Sequence, residues 1–374
     1  MTPRVQEAAP AAKRAQRFAI ADPALDVPAP RRPLRDWRTE LAGKRYLVTG
    51  AAGLIGGNLF RRLTDLNLDV IGTVLFPEEA RILRDRGYHA EVLDLASDQD
   101  WDELLRGVDV VFNIAARFQE TVDSEAGFDR VNNHGALKLA ETAARAGVER
   151  FVHCSTVGVH GDVREIPATE QSPFNPMDLY HRTKLRGELA ILEFTRTLPE
   201  DGMTVTVNRP AMVYGPADRR MFKLFKSILG GRFRMIGSGE VLAHLGYIED
   251  QAESFLLCAV APRRQVHGQA FNIASAEPLT LNELARLIAA SGGVSLPRWS
   301  VPVAPVLAAA ALCEFACRPL GVAPPLFRRR VGFFTHNRAF DYSKARELLG
   351  YESSWTNAEG IQTTIDWYRN AGWL

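Results

Sequence analysis

The chain has 374 residues, 46% of them hydrophobic and 24% charged, enough to bury a large core in one domain with an appended lobe. Lysine and arginine total 45 against 44 aspartates and glutamates, so no net field draws the chain to nucleic acid or to an acidic membrane. The four cysteines (Cys154, Cys258, Cys313, Cys317) show neither zinc-type spacing nor a disulfide framework. They predict buried thiols in a reducing, cytoplasmic setting and no metal site.

Residues 1–40 hold six prolines and eight Arg/Lys against five Asp/Glu. So little large apolar surface cannot offset the entropy of ordering, which predicts a mostly disordered extension. That stretch also lacks the apolar run of about 7–15 residues that a secretory signal needs.

From residue 44 the pattern alternates. Apolar runs at 45–48, 70–74, 90–93, 108–114, 151–154 and 205–208 read as strands, and amphipathic stretches such as 135–146 and 178–198 separate them as helices. Strands alternating with helices predict an α/β fold with a parallel, doubly wound sheet, whose ligands sit at the carboxyl ends of the strands. The first strand runs into Gly50, Gly53 and Gly56, followed by Leu54, Ile55 and further apolar residues at helical spacing. Glycines at a strand-to-helix turn allow a tight bend and let backbone approach a pyrophosphate closely. The domain expected from this pattern covers 41–216 and 247–275, with the sheet pattern returning at 247–250 and 270–274. Residues 217–246 and 276–374 build a smaller C-terminal substrate-binding lobe. Thr280 to Glu283 is a capping box opening a helix to Ala290. The apolar run 301–313 is too short to span a bilayer, which takes about 20 residues. It predicts a helix packed in the lobe, with a lipophilic lid or peripheral membrane contact beside Arg328, Arg329 and Arg330 as the sharper alternative.

Tyr180 and Lys184 lie four residues apart, so on a helix they share one face. A free phenol has a pKa of about 10, and bringing it to about 7 takes roughly 4 kcal/mol of differential interaction. An adjacent cation can supply that, allowing proton exchange with a hydroxyl or carbonyl near neutrality.

The chain resembles the extended short-chain dehydrogenase/reductases of the NAD-dependent epimerase/dehydratase family. The resemblance rests on Thr49-Gly50-x-x-Gly53-x-x-Gly56, Asp94-Leu95, Asn113-Ile-Ala115-Ala116, Asn132, Ser155-Thr156, Tyr180/Lys184 and Arg209-Pro210 to Pro216, in order over roughly 44–275. It implies a Rossmann arrangement and an NAD(P)-dependent enzyme. Tyr180 would exchange the proton, and Lys184 would depress its pKa and bond the nicotinamide ribose. Thr156, preferred to its neighbour Ser155, would bond the reacting oxygen. Asp94 would receive the adenine amino group unless it merely caps a helix. Gly50, Gly53, Leu54, Ile55, Gly56, Leu95, Ala115, Ala116, Pro210 and Val213 complete the cofactor contacts that the resemblance implies. Asn132 matches the family's structural asparagine, and Cys154 and His160 read as packing residues. A homodimer through helices including the Tyr180 helix is also implied.

The second strand ends in Thr73-Val-Leu75-Phe76-Pro77, without the acidic residue of NAD-preferring members or an arginine, although Arg81 and Arg84 follow. The missing carboxylate removes a repulsion against a 2′-phosphate, which tilts an NAD(P) assignment slightly toward NADP. Val157-Gly158 replaces the Asp-Glu pair that 4,6-dehydratases carry after the catalytic threonine. Ala243 stands where many nucleotide-sugar members place a diphosphate-binding arginine, leaving Arg232, Arg234 or His244 as substitutes. The segment 328–351 is similar to the tails of 3β-hydroxysteroid dehydrogenase-like and dihydroflavonol-reductase-like members. The leading expectation is therefore an alcohol dehydrogenase/ketoreductase for a bulky, largely apolar, lipid-, sterol- or polycyclic-like substrate. A nucleotide-sugar 4-epimerase is the alternative enzyme, and a non-catalytic cofactor sensor or scaffold the alternative of another class.

Overall fold

Runs of β-branched and aromatic residues, buried on both faces, form a seven-stranded parallel sheet, as continuous apolar strands do when helices cover both sides. The strands are β1 (Arg45–Thr49), β2 (Asp69–Val74), β3 (Ala90–Val92), β4 (Val110–Asn113), β5 (Arg150–Cys154), β6 (Thr204–Pro210) and β7 (Gln269–Ile273). The computed structural model describes residues 35–118, 124–297, 299–317 and 328–374. The spatial order is β7-β6-β5-β4-β1-β2-β3. Tyr46 faces Val70 on one side and Val110 on the other, so the winding reverses between β1 and β4 and opens a crevice there.

One face of the sheet is covered by the helices Leu54–Asp65 and Ile248–Val260, which share a cluster with Phe60, Leu63, Phe255 and Leu256. The other is covered by the helices Ala136–Arg145 and Leu179–Thr195, through Leu139, Ala143 and Ile191. A second cluster lies beyond the strand ends, where the helices Arg219–Leu229, Leu281–Gly292 and Asn357–Asn370 pack through Phe225, Ile288 and Ile365. The capping box at its entry is formed: the Thr280 hydroxyl accepts from the Glu283 amide, and the Glu283 carboxylate from the Thr280 amide.

Four expectations are corrected. The extension is not wholly featureless: its first 34 residues lie outside the described ones, but Trp37–Leu41 is a helix whose Trp37 is buried and donates to Glu253. The strand expected at 247–250 is instead Leu245–Tyr247, followed at once by a helix. Glu249 and Asp250 fall in that helix's first turn, where acidic residues are favoured. The tail does not stay in the lobe: Ala345, Leu349 and Tyr351 are buried in the sheet's own cluster, and the Tyr351 hydroxyl donates to the Ala274 carbonyl at 2.9 Å. Finally, the apolar run does form a helix, Val303–Cys317, but only its Ala310 is buried. Leu312 is 68% and Phe315 77% exposed, and Cys313 and Cys317 are half-buried rather than buried. Apolar side chains surround this helix on every side, so no single face directs it into the lobe. No helix among the described residues is long and apolar enough to cross a membrane.

Candidate active site

The turn after β1 depends on missing side chains. Gly50 has φ +71°, and a Cβ there would sit 3.1 Å from the Ala115 Cα. A Cβ on Gly56 would stand 2.3 Å from the Gly50 carbonyl oxygen, so the helix could not start so close to β1. Gly53 is the N-cap and offers no side chain to the first turn, which leaves the amides of Leu54 and Ile55 for an anion. Thr49 ties this turn to the β4 end: its Oγ1 accepts from the amides of Ile114 and Ala115, both at 2.9 Å, and donates to Asn113 Oδ1 at 3.1 Å. Ala115 is half-buried and Ala116 exposed beside it. A pyrophosphate fits this cradle, and Leu75 and Val92, exposed beyond β2 and at the end of β3, leave apolar surface for a purine.

Asp94 does not cap a helix. Its Oδ1 accepts from the Ala96 amide at 2.8 Å in a short turn, and Leu95 is buried behind it. At the end of β2 the structure supplies what the local sequence lacks. Glu79, four residues on, folds back so that its carboxylate accepts from the amides of Leu75 and Phe76, each at 3.1 Å. Burial raises its pKa, against the lowering effect of those two amides. Sequence reasoning missed Glu79, although its place three residues after Phe76 at a helix start was the available signal.

Beyond β5, adjacent hydroxyls take different roles. Ser155 is buried and donates to Glu188, which receives the Arg209 guanidinium. Thr156 is half-buried and caps a short 3₁₀ turn (Val157–His160), its Oγ1 accepting from the Gly158 amide at 3.1 Å. Its own proton is thereby left for an acceptor in the cleft. The Tyr180 helix (Leu179–Thr195) begins at Asp178, whose carboxylate accepts from the His181 amide at 2.8 Å. Tyr180 is half-buried, with the Phe118 ring edge-on at 4.7 Å. Lys184 is only 1% exposed, and its Nζ lies 3.5 Å from His153 Nε2. Burial lowers its pKa, while Cys154 and Glu188 oppose that shift. Asn132 is buried in a π-helical turn, bonded to the Arg117 backbone and to Thr183. Cys154 and His160 are buried.

Pro210 ends β6, and Val213 lies buried just beyond it. The Val213 carbonyl accepts from Arg220 Nη2 at 3.2 Å, and Arg220 Nε binds the buried Asp218 carboxylate. The guanidinium, 5.5 Å from the Phe118 ring centre, stands one ring away from Tyr180. Phe118, Arg220 and His153 come to this cleft by tertiary folding, and no local spacing marks them.

Ala243 is buried in a β-bridge to Arg338. His244 cannot replace a missing guanidinium: its Nδ1 accepts from the Phe340 amide, its Nε2 meets the Ser275 carbonyl at 2.8 Å, and burial lowers its pKa to about 4. Arg234 donates to the carbonyls of Gly231 and Phe233 and stacks on Trp299.

Comparison with known proteins fits this geometry. The profile of the NAD dependent epimerase/dehydratase family matches residues 46–274. The chain belongs to that family. Its members are NAD(P)-dependent enzymes, and this one is an NAD(P)-dependent enzyme of the extended short-chain type. A 3-beta-hydroxysteroid dehydrogenase of Mycolicibacterium neoaurum is 29% identical over 346 residues, 88% of this chain and 92% of that one. Among solved structures, the UDP-glucose 4-epimerase of Thermotoga maritima, with UDP-glucose, is 25% identical with a TM-score of 0.69, covering 87% of this chain and 98% of that one. The dTDP-glucose 4,6-dehydratase of Streptomyces venezuelae, with NAD bound, is 25% identical with a TM-score of 0.68, covering 88% and 98%.

Proposed function

We propose that the protein oxidises or reduces a bulky, largely apolar alcohol or ketone of the hydroxysteroid type, using Thr156, Tyr180 and Lys184. The observation that carries this reading is Phe118, 40% exposed and edge-on to Tyr180, with Met177 exposed three residues before that tyrosine. Such surface suits a hydrocarbon skeleton beside the reacting oxygen. The bound dinucleotide supplies hydride acceptance and return. Tyr180 gives its proton to the carbonyl or takes one from the alcohol, and Thr156 donates to the same oxygen and so fixes its position. Lys184, one turn along, biases the phenol toward its ionised form when it is charged. We also read the cofactor as NAD rather than NADP. The Glu79 carboxylate, held by the Leu75 and Phe76 amides, puts negative charge at the β2 end, which would repel a 2′-phosphate.

A second reading, a nucleotide-sugar 4-epimerase, is favoured by Arg220, whose guanidinium is half-open to the cleft and steadied by Asp218. The two readings differ in net cofactor turnover. With a 3β-hydroxysteroid and NAD⁺, steady growth of the reduced-nicotinamide absorbance is expected, and UDP-glucose should give none. Interconversion of UDP-sugars without net reduction, together with no response to steroids, would overturn the first reading in favour of the second.

A further inference from the structure

Gly158 lies in the 3₁₀ turn that Thr156 caps, and its amide is the donor to Thr156 Oγ1 at 3.1 Å. Val157 and Val159, on either side of it, are buried and anchor the turn, whereas Gly158 has no side chain to do so. Its φ is not positive, so its backbone conformation does not itself call for glycine. What forbids a side chain there is the His181 ring: a Cβ on Gly158 would stand 2.2 Å from both the Cδ2 and the Nε2 of that imidazole.

The ring is held by the start of its own helix, Leu179–Thr195. The His181 amide donates to Asp178 Oδ1 at 2.8 Å, and the ring Nδ1 lies 2.9 Å from Asp178 Oδ2. The second contact is too bent for a straight hydrogen bond and acts as an attraction between carboxylate and imidazole. One carboxylate thus places both the backbone and the ring of His181.

We propose that His181 is a positioning residue for Thr156: its ring fills the space left by the missing side chain of Gly158 and holds that amide against Thr156 Oγ1. An amide fixed on one lone pair limits the rotation of the hydroxyl and leaves its proton for the reacting oxygen. The carboxylate places the ring, the ring places a backbone amide, and the amide places the hydroxyl. Tyr180 sits between Asp178 and His181 on the same first turn. Both groups that meet the reacting oxygen therefore take their position from one helix cap.

The proposal rests on the reading of Thr156 as the hydroxyl that bonds the reacting oxygen, and it says what fixes that hydroxyl. A substrate-free readout comes first. Labelling valine with ¹³C at the carbonyl and glycine with ¹⁵N selects the Val157–Gly158 amide, a pairing shared in this chain only with Val331–Gly332. In His181→Ala, Asp178 can still cap the helix through the backbone amide of residue 181. The Gly158 amide should then exchange with deuterium about tenfold faster or more, with the amide of Gly72 in β2 unchanged. Equal acceleration at Gly72 would show general loosening, and an unmoved Gly158 would show no link; either result overturns the proposal.

Turnover of a 3β-hydroxysteroid supplies the second readout. His181→Ala should lower kcat about tenfold with KM within about twofold. Made on Thr156→Val, the same change should cost little more, because it acts through the hydroxyl already removed. Gly158→Ala should lower kcat in the wild-type background, where its methyl meets the ring. On His181→Ala it should cost nothing further, since the vacated space takes the methyl. Full additivity in either pair would overturn the proposal. A wild type that turns over no steroid, with the Gly158 amide selectively loosened in His181→Ala, would refute the substrate reading and leave the link standing.

Discussion

Two buried cations, Lys184 and Arg209, meet the helix Leu179–Thr195 near β5, and each has a buried histidine as a neighbour. Around Arg209 everything is closed. Its Nε lies 3.1 Å from both Glu188 oxygens, its Nη1 donates to the Glu170 carbonyl and meets His160 Nε2 at 3.1 Å, and its plane lies over Phe174. The His160 Nδ1–H donates to the Pro173 carbonyl, so its Nε2 is an acceptor, the right partner for a cation. His153 differs in its neighbour: the Asn113 side-chain amide, not a backbone carbonyl, lies 3.2 Å from its Nδ1. Arg209 thus meets a lone pair and a carboxylate, whereas Lys184 Nζ has the neighbouring His153 Nε2 at 3.5 Å. A buried charge with every hydrogen bond answered holds the fold together, whereas Lys184 stands one helical turn from the half-buried Tyr180 on the open side of the site.

The contrast can be broken most directly on the open side. Tyr180→Phe removes the exchanging proton but not the ring that packs against Phe118. Turnover should fall by about 10²–10⁴-fold, while NAD affinity, measured by fluorescence titration, and the urea midpoint stay near wild type. A variant that kept its turnover would place the proton exchange on another group. On the closed side, Glu188→Ala leaves the Arg209 guanidinium buried without its counter-charge. That should cost about 3–5 kcal/mol of stability, read from the urea midpoint at constant slope. A loss below about 1 kcal/mol would mean that water or a shifted side chain answers the charge, and the closed side would not be closed.

The sequence carried the parts of this site that are local. Tyr180 and Lys184 share a helix face because of their spacing, and the turn from Gly50 to Gly56 shows in the glycines that backbone contact demands. Thr280 and Glu283 announced a helix start for the same reason. What stayed hidden depends on distant segments. Thr49, Asn113 and His153 come from three strands and are hydrogen-bonded in a row only because β1, β4 and β5 are neighbours in register. Arg220 reaches Phe118 across the cleft. Glu79 supplies the β2 end with the carboxylate that the strand's own residues lack. The misplaced burial of Val303–Cys317 has another cause: an all-apolar helix has no face by which the sequence could say what it packs against.

The finest test uses neighbours, because the boundary between the two regions falls between Ser155 and Thr156. Thr156→Val deletes the hydroxyl that faces the cleft and should lower kcat by about 10²-fold, leaving the unfolding midpoint unchanged. Ser155→Ala should do the reverse, on a smaller scale. Its hydroxyl serves only the Glu188 carboxylate in a buried network, so losing it removes one hydrogen bond to a charged acceptor, about 1–2 kcal/mol of stability. Turnover should stay within about twofold, since no proton that reaches substrate passes through it. If Ser155→Ala instead lowered kcat at constant stability, the two hydroxyls would have exchanged roles, and the Glu188–Arg209 pair would belong to the chemistry and not to the scaffold.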